Sequence, residues 1–321
     1  MNPTYDSQLD LSVVIPILNE SRNLAPLLSA LDNAFAALPI RWEVVFVDDG
    51  STDDSWQRLQ QLSSIRENLT AIRFSRNFGK EAAIQAGLAH SRGDASLVMD
   101  SDLQHPAELI APMWNLKQSG GHEVVSAVKA ERQAESLLRG TGARLFYWLF
   151  RKSTRIDLKN STDFKLVGQR ARELYLSLPE NQKFFRGLTS WFGFPEGIVT
   201  FTPPDRAVSP ESRWSTGGLL RYALRNLVSF SSFPIRLLGW LGAATLAFSF
   251  LLGAQTLYTK FTGQAVEGFT TVIIAILFVG AILMMGLAII GSYVAETHQQ
   301  VLQRPPFIIQ ETTLGSRPPN A

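Results

Sequence analysis

Residues 96–104 read Ser96-Leu97-Val98-Met99-Asp100-Ser101-Asp102-Leu103-Gln104, an apolar run followed by two carboxylates and an amide. The apolar run has the length and composition of a buried strand. Asp100 and Asp102, two residues apart at its end, are expected to point to the same side. Oxygen ligands there suit Mg²⁺ or Mn²⁺ shared with phosphates, and a solvated turn between a strand and a helix is the alternative.

Four more apolar segments of strand length occur in the first half of the chain: Leu11–Ile17, Glu43–Val47, Ala71–Phe74 and Glu123–Ala127. Helical patterns lie between them, with apolar residues at a period of about 3.6. The first helical pattern has Leu24, Leu27, Leu28, Leu31 and Phe35 on one face, and the second has Trp56, Leu59 and Leu62. This alternation predicts a doubly wound, mostly parallel α/β sheet.

Ligands of such sheets bind beyond the carboxyl ends of the strands. Four aspartates fall at such ends: Asp48, Asp49, Asp100 and Asp102. A dinucleotide-binding enzyme would carry G-x-G-x-x-G after the first strand. The segment Pro16–Glu20 occupies that place here, which argues against NAD.

Charge is distributed unevenly over the 321 residues, although the net charge is only +2. Residues 1–128 carry a net charge of −7, and residues 129–172 carry +7. A basic block in a chain with long hydrophobic segments favours an anionic membrane surface over nucleic acid as a partner. The absence of cysteine excludes disulfides and thiol catalysis.

Two uncharged runs, Leu237–Thr259 and Gly268–Ala295, are each longer than the roughly 20 residues that cross a bilayer. Arginines flank the pair on both outer sides, so the positive-inside rule predicts a hairpin with both ends cytosolic. Basic, aromatic segments at 137–152 and 217–230 are expected to be helices on the membrane surface, with an ordinary core helix as the alternative for the first. The Pro-containing tail, Arg304–Ala321, is expected to be mobile.

The ordered motifs Val13–Glu20, Val44–Asp53, Ser75–Ala83 and Asp100–Gln104 resemble those of the family 2 glycosyltransferases with the GT-A fold. Within that family the resemblance is closest to the polyprenyl-phosphate sugar transferases, which include dolichyl-phosphate mannose synthases and bactoprenol glucosyltransferases. The similarity runs from about Leu11 to the last hydrophobic segment. A Rossmann-like GT-A catalytic domain is therefore expected.

The resemblance implies a set of donor-binding residues at the strand ends. Metal ligands are expected to be Asp100, Asp102 and Gln104, and the nucleoside end of the donor is expected to meet Pro16, Asn19, Glu20, Asp48 and Asp49. A turn with a helix cap is a compatible alternative for the segment after Asp48. Arg76 and Lys80 bracket a turn and are candidates to face the donor phosphates, or are surface cations.

Four downstream residues join Asp102 in the candidate catalytic set. Asp163, in a segment similar to the family's G-D-F-R-L, is a candidate base or acceptor-orienting group, with a salt bridge to a nearby arginine as the alternative. Arg186 belongs to a segment that matches the family's F-x-R-G. Arg206 and Arg213 lie in the loop that closes over phosphates in relatives, although Ser209-Pro210 and Arg213-Trp214 depart from the usual pattern.

The resemblance implies an inverting, metal-dependent transfer of a hexose from a nucleotide diphosphate sugar to a polyprenyl (undecaprenyl) phosphate, with UDP-glucose as the expected donor. A processive polysaccharide synthase and an inactive scaffold for a lipid flippase are the alternatives. The expected location is the bacterial inner membrane. The protein is expected to form a homo-oligomer, which the resemblance implies to be a tetramer. Expected parts are a cytosolic catalytic domain over 1–215, a juxtamembrane helix over 216–235, a transmembrane hairpin over 236–296 and a cytosolic tail over 297–321.

Overall fold

A computed structural model of the protein describes residues 9–129, 161–180, 183–202, 233–262 and 268–313. The membrane-surface helix predicted over 137–152 and the candidate phosphate-binding Arg206 and Arg213 lie outside these ranges. So does the juxtamembrane helix predicted over 216–235, except for its last residues, which begin a long helix. The chain forms two units: the first contains the described residues up to 202 together with 304–313, and the second contains the two long helices.

The first unit is built on one mixed eight-stranded sheet in the order β7-β5-β6-β4-β1-β2-β3-β8. Its strands are β1 (Leu11–Ile17), β2 (Trp42–Asp48), β3 (Leu69–Phe74), β4 (Ala95–Val98), β5 (Val124–Lys129), β6 (Ser161–Gly168), β7 (Glu196–Phe201) and β8 (Ile309–Thr312). The central strands β3, β2, β1 and β4 are parallel, whereas β6 runs antiparallel to both β4 and β5. All five predicted strands are present.

Helices connect these strands and cover both faces of the sheet. They are α1 (Leu24–Ala36), α2 (Ser55–Ile65), α3 (Lys80–His90), α4 (Ile110–Gly120), α5 (Gln169–Ser177) and α6 (Phe185–Trp191). The five apolar residues predicted to form one face of α1 are all buried, because they pack on the apolar strands β1 and β2. On the other face of the sheet, Gly87 of α3 has no room for a Cβ, which would collide with the Val14 side chain of β1. This glycine lets α3 approach the sheet closely.

The prediction that the tail is mobile is wrong for residues 304–313, which pack on the first unit. β8 pairs antiparallel with β3 and forms the edge of the sheet, and the Phe307 ring stacks on Phe74 at 5.0 Å between centroids. The backbone N–H of Ser75 donates to Ile308 O and that of Thr313 to Ala71 O. Pairing with β3 satisfies backbone groups that a free edge would leave to water, and Phe307 and Ile309 pack against the hydrophobic core, so this part of the tail is ordered.

The second unit contains α7 (Phe233–Phe261) and α8 (Phe269–Val301), which include the two predicted hydrophobic runs. Each has an 18-residue window, Leu238–Gln255 and Phe278–Ala295, that is apolar enough to cross a membrane and is not buried inside the protein. Such large exposed apolar surfaces are unfavourable in water. By length and composition, both helices are therefore candidate membrane spans.

Candidate functional site

Loops that follow β1 and β2 are tied together at the carboxyl edge of the sheet. Asn19 has a left-handed backbone (φ 55°), and its Oδ1 accepts hydrogen bonds from the N–H groups of Thr52 and Asp53. Its own N–H donates to Ser51 Oγ, and that of Glu20 donates to Ser55 Oγ. Asn19 thus fixes the shape of the predicted nucleoside site, whereas Pro16 lies buried within β1.

Asp48 and Asp49 have different environments. Asp48 is fully buried; its Oδ1 accepts the N–H of Ser51 at 2.8 Å, and its Oδ2 has no hydrogen-bond partner. Burial raises the pKa of Asp48, although the Ser51 hydrogen bonds and the Arg73 guanidinium oppose this shift. Asp49 accepts the N–H groups of Phe78 (2.6 Å) and Gly79 (3.0 Å), so it holds the loop that leads into α3.

Gly50 explains how these two loops come so close together. Its φ of 75° lies in the left-handed region, and a Cβ there would meet the Arg76 carbonyl carbon at 2.7 Å. A side chain would therefore be both strained and obstructed at this turn. Arg76 itself lies over the Phe78 ring, 4.1 Å from its centroid, and is exposed.

Asp100, Asp102 and Gln104 follow β4 as the sequence predicted. The exposed Asp102 accepts the N–H of Gln104 at 3.1 Å, and Leu103 between them has a φ of 60°. His105 is buried beneath this turn; its Nδ1 accepts the N–H of Asp100 at 3.0 Å, and its ring stacks on Phe164. His105 therefore stabilises this turn from inside the protein.

A cluster of alternating charges forms where α3, β4, β6 and α6 meet. Lys80 Nζ lies 2.6 Å from Asp100 Oδ1 and 2.7 Å from Asp163 Oδ2. Arg186 makes two contacts with Asp163, from Nη2 to Oδ2 at 3.0 Å and from Nε to Oδ1 at 3.1 Å. The salt bridge proposed as one alternative for Asp163 is therefore present, and the forked geometry is the strong kind.

Electrostatics keep this cluster ionised at neutral pH. Burial disfavours the charge on Asp163, but the Lys80 ammonium and the Arg186 guanidinium outweigh it and hold the pKa of Asp163 well below its usual range. The pKa of Asp100 is likewise lowered, because Lys80 and His105 outweigh burial. A carboxylate with a depressed pKa is a weak proton acceptor, which favours a positioning role for Asp163 over general-base catalysis.

Two charged residues that the sequence analysis did not single out, Glu81 and Lys165, lie near this cluster and make buried contacts. Glu81 accepts the N–H of Phe185 at 2.9 Å and so fixes the start of α6, the helix that carries Arg186. Lys165, fully buried two residues after Asp163, pairs with Glu196 of β7 at 3.2 Å. Lys165 could have been singled out from the sequence, because a charged residue inside an apolar strand is unusual. Nothing in the sequence around Glu81 indicated a special role.

The environment of Glu81 predicts a pH-dependent stability that Glu81→Gln removes. Burial, followed by the Asp163 carboxylate, raises the pKa of Glu81 to about 8 from its ordinary value of 4.5. Between these values the folded protein keeps a proton that the unfolded chain has lost, so the free energy of unfolding falls as pH rises through this window and levels off above it. The variant keeps an oxygen for the Phe185 N–H but cannot ionise.

Thermal melts of both proteins from pH 5 to pH 9 measure this effect. The advantage of Glu81→Gln over the wild type should grow with pH up to about 8. Glu67→Gln, at an exposed position in the loop before β3, is the control and should follow the wild type. Parallel pH profiles for the wild type and Glu81→Gln would contradict the assignment.

Asp100, Asp102 and Gln104 have the chemistry for a divalent cation. Two carboxylates and an amide carbonyl are hard oxygen ligands of the kind that Mg²⁺ and Mn²⁺ take, and the exposed Asp102 is accessible to a ligand. Within the described ranges, no group of three or more His, Cys, Asp or Glu residues is close enough to hold a metal. Further oxygen ligands for a cation at Asp100 and Asp102 would come from Gln104, from water or from a bound phosphate.

Comparisons with known proteins agree with this architecture. The family described as Glycosyl transferase family 2 matches residues 12–171. CsbB of Bacillus subtilis (strain 168) is 33% identical over 309 residues, which cover 96% of this chain and 93% of that protein. The SfII prophage-derived bactoprenol glucosyl transferase of Shigella flexneri is 32% identical over 310 residues, which cover 96% of this chain and 100% of that protein.

A solved structure is similar over a smaller part of the chain. Glucosyl-3-phosphoglycerate synthase from Mycobacterium tuberculosis, in complex with Mn²⁺ and uridine-diphosphate-glucose, has 21% sequence identity and a TM-score of 0.48, covering 70% of this chain and 79% of that one. The family match and the full-length relatives, together with the sheet order, confirm the expected GT-A fold. The chain belongs to glycosyltransferase family 2.

Proposed function

We propose that this protein transfers glucose from UDP-glucose to a polyprenyl phosphate at a membrane. The observation that carries the proposal is the full-length similarity to proteins named bactoprenol glucosyl transferase, which includes the two long apolar helices as well as the catalytic domain. Bactoprenol is a polyprenyl lipid that resides in the bilayer, so two membrane-spanning helices would hold the catalytic domain close to this acceptor.

In this proposal, a phosphate oxygen of the lipid attacks the anomeric carbon of glucose. The bond from that carbon to the diphosphate breaks on the opposite side, giving UDP and a polyprenyl-phosphate glucose with inverted configuration. The lipid phosphate is already ionised at neutral pH, so no strong base is required. The protein contributes mainly positioning and charge stabilisation.

Each group of the site has a part in that reaction. Asp48 accepts hydrogen bonds from the nucleoside, and Asn19, Glu20 and Asp49 shape its pocket. Asp100, Asp102 and Gln104 would hold Mg²⁺ or Mn²⁺, which when bound stabilises the charge on the diphosphate leaving group. Asp163 holds the cations Lys80 and Arg186 where phosphates approach. Arg206 and Arg213, outside the described residues, remain predicted phosphate ligands.

A turnover assay tests the function and separates it from its alternatives. Full-length protein in detergent is given a short polyprenyl phosphate, Mn²⁺ and a panel of nucleotide sugars. We expect UDP-glucose to be consumed and one glucose to be added to each lipid. A polymer of sugars would instead support a processive synthase, and the absence of turnover with every donor would support a scaffold.

The topology of the hairpin is a second prediction. We expect α7 and α8 to cross the inner membrane with both outer ends cytosolic, because arginines flank the pair. The chain supports this arrangement, since β8 belongs to the catalytic sheet and begins at Ile309, soon after α8 ends at Val301. We therefore expect the carboxyl end of α8 to be cytosolic, like the catalytic domain.

Cysteine labelling measures this topology without background, because the chain has no native cysteine. Gln264→Cys, between the two helices, should react with an impermeant thiol reagent added to intact spheroplasts. Ser7→Cys and Asn320→Cys should react only after the membrane is opened. Labelling of either terminal cysteine from outside would reverse the topology and exclude a cytosolic donor.

A further inference from the structure

Three charged residues form a row across neighbouring strands at the nucleoside end of the site. Asp48 of β2 lies opposite Arg73 of β3, and Arg73 lies opposite Glu311 of β8. Arg73 Nε is 3.7 Å from Asp48 Oδ2, and Arg73 Nη1 is 3.5 Å from Glu311 Oε1. The row therefore alternates negative, positive and negative from the sheet interior to its edge.

Burial falls along this row from the inside outward. The side chain of Asp48 is 0% exposed, that of Arg73 is 24% exposed and that of Glu311 is 40% exposed. Neither Asp48 Oδ2 nor Arg73 Nε has a hydrogen-bond partner, although both atoms are buried. A buried carboxylate oxygen without a donor is costly, and the nearby guanidinium charge offsets part of that cost.

Glu311 is itself held firmly on the outer side of Arg73. The indole Nε1 of Trp56 in α2 donates to Glu311 Oε2 at 3.0 Å, and Gln60 Nε2 lies 3.4 Å from the same oxygen. The Arg73 guanidinium lies 5.7 Å from the centroid of the Trp56 ring. Glu311 and Trp56 together therefore restrict the positions open to the guanidinium.

We propose that Glu311 is a positioning residue for donor binding, which holds Arg73 against Asp48 and thereby keeps Asp48 ready to accept hydrogen bonds from a nucleoside. This inference rests on the proposed function, in which Asp48 contacts the donor. It assigns a part of the donor site to the strand that follows the second long helix. Without Glu311, Arg73 turns toward solvent and Asp48 loses its counter-charge.

Binding of UDP in the presence of Mn²⁺, measured by calorimetry on the full-length protein, tests the inference. We expect Glu311→Ala to raise the Kd for UDP about tenfold, which corresponds to about 1.4 kcal/mol. At saturating UDP-glucose, kcat should stay within about twofold of the wild type, because the interaction is made equally in the ground and transition states. Gln310→Ala, an exposed neighbour in the same strand, is the control and should bind UDP normally.

Two further variants distinguish positioning from simple anchoring of β8. Glu311→Gln keeps an oxygen for the Trp56 indole but has no charge for Arg73, so it should bind UDP about as weakly as Glu311→Ala. In an Arg73→Ala background, Glu311→Ala should weaken binding no further, because residues that act through one another are not additive. Normal UDP binding by Glu311→Ala or by Glu311→Gln, or full additivity with Arg73→Ala, would overturn the inference.

Failure of the proposed function gives a different result. If the wild type binds neither UDP nor any other nucleotide, the function is wrong and the inference falls with it. If the wild type binds UDP and transfers glucose while every Glu311 variant behaves as the wild type, only the inference is wrong.

Discussion

Asp102→Asn is expected to lower glucose transfer by on the order of a thousandfold, or about 4 kcal/mol of transition-state stabilisation, through loss of a metal ligand. Folding should be unaffected, because Asp102 is exposed and lies outside the hydrophobic core. Asparagine also keeps the oxygen that accepts the N–H of Gln104. A loss of activity would therefore report on the chemistry of the site and not on stability.

The measurement combines turnover with a binding readout. Wild-type transfer should disappear in excess chelator and return with Mg²⁺ or Mn²⁺, and Mn²⁺ should tighten UDP binding to the wild type but not to Asp102→Asn. Asp32→Asn is the matched control, since Asp32 lies on the helix α1 and forms a surface ion pair with Arg66. Full activity of folded Asp102→Asn in chelator would eliminate the metal from the mechanism.

Asp163→Asn is expected to reduce both activity and stability. Asp163 is the shared anion of Lys80 and Arg186, so its removal takes one carboxylate from each of these cations and leaves Asp100 as the counter-charge of Lys80. Loss of one partner from a buried pair costs about 3 kcal/mol, and the 40% exposure of the Lys80 side chain should reduce that cost by solvent screening. Transfer should fall on the order of a hundredfold as the cations lose their positions.

A double variant separates these two effects. Lys80→Met added to Asp163→Asn removes one of the two cations that contacted Asp163, so it should recover part of the melting temperature without recovering transfer. The control Asp32→Asn, which also breaks an aspartate–arginine pair, should change stability by less than about 1 kcal/mol because that pair is at the surface. Transfer restored by the double variant would mean that Asp163 serves folding alone.

The pH dependence of transfer gives an independent view of Asp163. A general base would produce an acid limb near its own pKa, but the pKa of Asp163 is held well below the usual range by Lys80 and Arg186 in spite of its burial. The Asp163 carboxylate is thus fully ionised at every pH at which transfer would be assayed. The choice between base and salt bridge, which the sequence left open, depends on cations that only the folded chain brings to this carboxylate.

Sequence patterns determined the features that local chemistry controls. The apolar runs of β1 to β5, the buried face of α1 and the length of the two long helices follow from residue type and spacing over a few turns. The position of Asp100, Asp102 and Gln104 at the carboxyl end of β4 was predicted in the same way, because the apolar run before them predicts a strand and ligands bind beyond the carboxyl ends of such strands. These features need no knowledge of distant residues.

Tertiary structure decided what depends on residues far apart in the chain. The strand β8 has only four residues, Ile-Gln-Glu-Thr, and no apolar pattern to predict it; the free edge of β3 supplies its hydrogen bonds. Trp56 and Glu311, which are 255 positions apart, meet only because that strand docks. The Lys80–Asp163–Arg186 cluster likewise joins α3, β6 and α6. Sequence spacing carries no information on such pairings, since long-range packing fixes which charges become neighbours.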